Sequence, residues 1–312
     1  MISSPQASGS TAVNLSKLPF PEVVETLSIE AIIAEAKAEL VTLISEDDPA
    51  AGAAIEAVLQ LESEPLVKLI EIFALREFNA RVRVNDSAKA CMIAYAVGAD
   101  LDNLGALVGV ERLEITPADP EHGIAAVMEG DEALRRRILL APEAYSVAGP
   151  AGAYVSHALD ASADVLDASA TSPTPGQVLV TVLSRLDDGA ASPELLAAVE
   201  ASVSSEEDRP LTDEVIVAAA EILTFTVQAE ITTFSGPDSS VVLAEADARL
   251  TAYLAGAFRL GRDITRSAII TALSPEGVQD VDLTMPAANI PVSSLQAARC
   301  TAVELIDGGL GE

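Results

Sequence analysis

The sequence predicts an α+β protein, multi-domain and elongated, in which an all-helical N-terminal segment precedes two small α+β units. Three observations lead there. From Ser28 to about Val110 apolar residues recur at helical spacing with no strand pattern among them. Beyond Val110 period-two runs appear and alternate with short helices. Pro117, Pro120 and Gly123 mark the change as a linker. The expected domains are an extended arm over 1–25, a helical domain over 26–115, a central α+β domain over 116–220 and a C-terminal α+β domain over 221–312.

The arm is Ser-rich, carries Pro5, Pro19 and Pro21, and has no core of its own. Such a segment is either disordered or laid along a partner. Ser28 then caps a helix in which Ile29, Ile32, Ile33, Ala36, Leu40, Leu43 and Ile44 recur, and Asp47-Asp48-Pro49 stops it. A second helix runs from about Ala53 to Leu61. Pro65 opens a third, since proline in a first turn gives up no hydrogen bond. Leu66, Leu69, Ile70 and Phe73 form its expected buried stripe. Asn85-Asp86-Ser87 predicts a break and a new cap, with a fourth helix over Ser87–Val97 and a short fifth over Asp100–Leu107.

The central unit reads as a helix over Asp131–Leu140, another over Ala151–Leu159, strands over Ala163–Ala168 and Gln177–Ser184, a helix from Pro193 to about Val203, and a strand over Val215–Ala218. The last unit opens on the cleanest strand: Phe225, Val227, Ala229 and Ile231 alternate with Thr226, Gln228, Glu230 and Thr232. That alternation requires one buried and one wet face. Helices over Ser239–Ala255 and Ile264–Leu273 and strands over Val278–Thr284 and Thr301–Ile306 complete it.

Composition narrows function more than fold. The 312 residues suffice for two or three cores. Half are apolar, but there is no Trp and aromatics make up 3%, which suits thin layers and helix contacts. A formal charge of -30 repels phosphate backbones, so no nucleic-acid partner is expected. The single basic cluster, Arg135-Arg136-Arg137, follows Asp131-Glu132 and reads as a salt-bridged helix surface in preference to a phosphate site. No signal peptide is visible, and charge interrupts every apolar run before about 18 residues, so no membrane partner is expected either. Cys91 and Cys300 form no disulfide framework, and Cys91 in its apolar run reads as a buried thiol.

Constellations for chemistry are missing. His122 lies in the linker and His157 on a helix, too few for a clustered metal site. Ser156 and His157 are adjacent, but neighbours on a helix point about 100° apart and make no nucleophile–base pair. Asp100, Asp102 and Asn103 resemble the start of a calcium loop without its glycine and terminal glutamate; an acidic helix N-terminus explains them better. No catalytic, cofactor-binding or metal residue is assigned, and no cofactor or enzymatic activity is expected.

Several segments in order carry a resemblance. They are Leu61-Glu62-Ser63-Glu64-Pro65-Leu66 with Arg76-Glu77 and Arg83-Val84-Asn85, then Ala94-Tyr95-Ala96-Val97-Gly98 with Asp100-Leu101-Asp102-Asn103-Leu104-Gly105. Next come Asp131-Glu132 with Leu134-Arg135-Arg136-Arg137-Ile138, running into Pro142–Pro150 and Gly152-Ala153-Tyr154. Asp167–Ser172 with Gly176-Gln177-Val178, and Arg259-Leu260-Gly261-Arg262-Asp263-Ile264, complete the set. Across nearly the whole chain this resembles the baseplate J-like proteins of contractile-tailed phages. The resemblance implies a structural wedge protein that pairs with itself, with a tail protein I-type partner and with other wedge and hub proteins in a ring. Its expected location is the tail baseplate of a virion, after synthesis and assembly in the host bacterial cytoplasm. The alternatives are a tail-borne wall-degrading enzyme, which the lack of Trp disfavours, and a host-receptor binder, which the helix-rich pattern disfavours.

Overall fold

A computed structural model describes residues 15, 18, 21–146, 149–205, 213–236 and 238–311. The class is α+β. Two compact units divide between Leu107 and Val108. Most of the expected arm lies outside the described residues.

The first unit is helical: α1 (Ile29–Asp47), α2 (Pro49–Val58), α3 (Pro65–Ala90) and α4 (Gly98–Ala106). Ser28 caps α1, its Oγ accepting the Ala31 N–H at 3.2 Å. Asp48 both ends α1 and caps α2. Its N–H donates to the Ile44 carbonyl at 2.9 Å, and its carboxylate accepts from the amides of Ala50 and Ala51. Gly52 allows α2 to close on α1, because a Cβ there would stand 1.9 Å from Ser45 Oγ. The core is small: Leu59, Val67 and Ile70, flanked by Ile33, Leu40 and Leu66.

Three expectations fail in this unit. α3 runs unbroken through Asn85-Asp86-Ser87, and residues 91–97 are turns, not a helix. Asn85 competes with helical backbone when its amide finds local partners, but here it is spent elsewhere. Its Oδ1 accepts the Glu25 N–H at 3.1 Å and its Nδ2 donates to the Glu25 carbonyl at 2.9 Å. Cys91 is consequently exposed in a turn rather than buried. Finally, α3 buries Val67, Ile70 and Ala74, leaving Leu69 48% and Phe73 59% exposed.

The second unit begins with a short antiparallel pair, β1 (Glu114–Thr116) and β2 (Val127–Met128), so the expected linker is in part a hairpin. Helices α5 (Asp131–Ala144) and α6 (Ala151–Ala161) precede a sheet of β3 (Val165–Thr171), β4 (Gln177–Ser184) and β5 (Glu214–Ala219). β4 is central, antiparallel to β3 and parallel to β5. A parallel neighbour needs a crossover, which α7 (Pro193–Val203) supplies. Leu159, Val180, Val182 and Val199 fill the core beneath.

Ala220 alone separates β5 from β6 (Glu221–Thr233), the middle strand of the second sheet. After α8 (Ser239–Ala257) and α9 (Arg266–Ala272), β7 (Val278–Met285) pairs with β6 antiparallel and β8 (Gln296–Leu310) pairs with it parallel. Both sheets thus set one parallel and one antiparallel neighbour about a central strand. Val227, Ala229 and Ile231 pack against Ala246, Leu250 and Ile269, while Gln228 donates to Glu304 at 3.0 Å on the wet face.

Candidate functional site

The three arginines of α5 are ion-paired, but two of them are not at the surface. Successive helical residues diverge by about 100°, so the trio fans into three directions. Arg135 pairs with Glu132 at 2.5 Å and Arg136 with Asp167 at 2.5 Å. Arg137 is buried: Nη1 donates to Glu129 at 2.6 Å and to the Glu111 carbonyl at 2.9 Å, while Nε reaches Asp160 at 2.7 Å. Glu129 is itself buried and also accepts the Leu113 N–H at 2.9 Å. The cluster is therefore salt-bridged as expected but only partly at the surface: Glu132 is 89% exposed, whereas Arg137 and Glu129 are internal, and leaving either of these alone would strand a desolvated charge.

Asp167, on β3, extends this network to the other sheet. Its Oδ1 takes Arg136 and the Ala168 N–H at 2.8 Å; its Oδ2 takes the Leu260 N–H at 3.0 Å. Arg259 donates to the Leu166 carbonyl at 2.6 Å and Ser169 Oγ to the Ser294 carbonyl at 2.5 Å. Burial holds the Arg259 pKa below its ordinary value; the neighbouring Asp167 opposes that shift, and Arg136, Arg185 and Arg262 add to it. Leu183, Ala220 and Ala297 close the seam with Phe258 and Leu260. Gly189 is required there, since its φ is +99° and a Cβ would meet Phe258 at 2.4 Å. Arg299 stacks over Phe258, 5.9 Å from the ring centre, and bonds the Asp187 carbonyl.

The residues weighed for chemistry do not gather. His122 is exposed and bonds Asp119 at 2.5 Å. Ser156 is buried, and the His157 carbonyl accepts from Ser202 Oγ at 3.0 Å. Asp100 lies in the first turn of α4. Among the described residues no three His, Cys, Asp or Glu group to hold a metal, and no helix is long and apolar enough to cross a membrane. What sequence reading missed is the joint role of Arg136, Asp167 and Arg259. All three lie in segments that carried the family resemblance, which was the available signal.

Models of three parts of one family match the chain in order. They are the Baseplate J-like N-terminal domain over residues 62–119, the Baseplate J-like central domain over 146–219 and the Baseplate J-like protein C-terminal domain over 225–306. Over 302 residues the chain is 46% identical to Baseplate protein J of Escherichia phage P2, covering 96% of this chain and 99% of that one. The chain belongs to the baseplate J-like family. A cryo-EM structure of the anti-feeding prophage baseplate, 6-fold symmetrised, is similar at 16% identity and a TM-score of 0.39, over 57% of this chain and 43% of its own. In this baseplate J-like chain the seam crosses family parts: Asp167 lies in the central match and Arg259 and Leu260 in the C-terminal one.

Proposed function

We propose that this baseplate J-like protein is a structural wedge component of a contractile tail, sited in the tail baseplate of a virion and without enzymatic activity. It pairs with a second copy of itself, binds a tail protein I-type partner, and joins other wedge and hub proteins in a ring around the central hub. Synthesis and assembly take place in the host bacterial cytoplasm. The modules are the arm over 1–25, the helical domain over 26–115 and the α+β domains over 116–220 and 221–312. No residue is assigned to catalysis, a cofactor or a metal.

The observation that carries this reading is the near full-length likeness to Baseplate protein J of phage P2. Two features support it physically. Leu69, Ile72 and Phe73 leave an apolar face on α3 that is 48–59% exposed, the kind of contiguous patch that marks a protein interface. β8, an edge strand bridged by Leu260 only at its start, near Ala297, leaves Val303, Ile306 and Leu310 exposed farther along, and the edge beyond that bridge is a template for a partner strand. Electron microscopy of particles made without this protein tests the reading. Incomplete, sheathless tails are expected, and complete sheathed tails would overturn it. Clearing of host cell walls by the pure protein would overturn the non-enzymatic assignment.

A further inference from the structure

A cavity of about 20 Å³ lies within the seam, lined by Arg136, Arg137, Arg185 and Arg259 with a single carboxylate, Glu129. Such a volume holds one water-sized body. The charges around it do not balance locally. Arg136 has Asp167, and Arg137 has Glu129 and Asp160. Among the described residues, Arg185 and Arg259 have no carboxylate within ion-pair distance. Arg185 Nε is spent on the Ala163 carbonyl at 3.1 Å, and Arg259 Nη1 on the Leu166 carbonyl at 2.6 Å. The half-buried guanidinium of Arg259 feels the negative charge of Asp167 and, against it, the positive charge of Arg136, Arg185 and Arg262. A chain with 48 Asp and Glu thus leaves two half-buried cations without an ion-paired carboxylate at one point, Asp167 being nearby but paired to Arg136, an arrangement that a further counter-charge would favour.

We propose that this cavity binds a small monoatomic anion, of chloride size, between the guanidinium groups of Arg136, Arg137, Arg185 and Arg259. Apart from apolar side chains and Glu129, the walls offer the N–H groups of four guanidiniums, which carry no acceptor. A water there would find lone-pair partners but few acceptors for its own hydrogens. Of the Glu129 carboxylate, Oε2 is already taken by the Leu113 amide and Arg137, which leaves Oε1 as the one carboxylate oxygen in the walls open to a water hydrogen. An anion uses only donors, supplies the missing charge and satisfies the seam from inside. The ion would belong to the folded junction between the two sheets, and the site does not depend on the wedge assignment.

Crystals of the full chain grown in sodium bromide and measured at the bromine edge test the site directly. An anomalous peak is expected in contact with Arg185 and Arg259; ordinary water density without such a peak would overturn the proposal. In solution, chloride replaces methanesulfonate at constant ionic strength. Tm is expected to rise saturably, by roughly 2–4 °C, and the rise is lost in Arg185→Gln. Equal Tm in the two salts, or an unchanged rise in the variant, would overturn it. If Arg185→Gln does not fold, Arg185→Lys takes its place, with saturation expected at about tenfold higher chloride and unchanged saturation counting against the site.

Discussion

Asp167 and Leu260 stand 93 positions apart in sequence, yet Asp167 Oδ2 accepts the Leu260 backbone N–H at 3.0 Å. The other oxygen of the same carboxylate holds Arg136 at 2.5 Å, so one buried side chain fastens α5, β3 and the segment after α8. Removing it leaves a guanidinium and a backbone amide unpaired. Because Arg136 is partly exposed and can rehydrate, Asp167→Ala is expected to cost about 1–3 kcal/mol, measured by urea denaturation; a loss within about 0.5 kcal/mol would show that the seam does not depend on it.

Arg137 and Glu129 form a more deeply buried pair, with side chains 9% and 2% exposed. Arg137→Met strands Glu129 and is expected to destabilise by about 3–5 kcal/mol. The double change Arg137→Met with Glu129→Gln should cost clearly less than the sum of the two single changes, because the stranded charge is gone. A double-mutant cycle reads the coupling, and simple additivity would count against the pair.

Leu250 is fully buried, where α8 meets β6 in a core built largely of small aliphatic residues. Leu250→Ala is expected to leave a cavity that neighbouring side chains, Phe225 and Tyr253 among them, fill only in part, and to cost about 2–5 kcal/mol, seen as a lower denaturation midpoint at unchanged slope.

Asp238 caps α8, its carboxylate accepting the Ser240 N–H at 2.9 Å and the Ser240 hydroxyl at 2.7 Å. These bonds, the hydroxyl's first, hold its pKa below the usual carboxylate value. A depressed folded-state pKa contributes stability above the unfolded value, near 3.9, and loses it as pH falls through the folded one. The Tm difference between the wild type and Asp238→Ala should therefore be constant above about pH 5 and shrink below about pH 4. A difference that grows in acid would refute the assignment.

Phe73 is exposed and belongs to no described core. Phe73→Asp is expected to leave Tm within about 2 °C of the wild type while abolishing co-purification with a second copy or with the I-type partner. Retained assembly would remove the α3 face from the wedge contacts.

What could be read along the chain was what neighbours in sequence decide. Ser28 and Ser192 announce helix starts because a cap bonds an amide three residues on, as both hydroxyls do at 3.2 Å. β6 shows its buried face because alternation is a local period. Asn85 misled because its partner, Glu25, lies 60 residues away. Leu69 and Phe73 misled because α3 is apolar on more than one side, and periodicity does not say which side meets its own chain. The seam was illegible in detail for the same reason: Ser169 bonds Ser294 across 125 positions, and no local spacing encodes that meeting.

Ala220 is the whole of the connection between β5 and β6, and it is buried, its N–H held by the Val182 carbonyl at 2.9 Å. One residue spans at most about 3.5 Å, so this tether has no slack to take up. A tug delivered to either sheet reaches the other at once, along covalent backbone. Where a part must pass on a mechanical signal without blunting it, a short stiff coupling of this kind acts as a lever rather than a hinge.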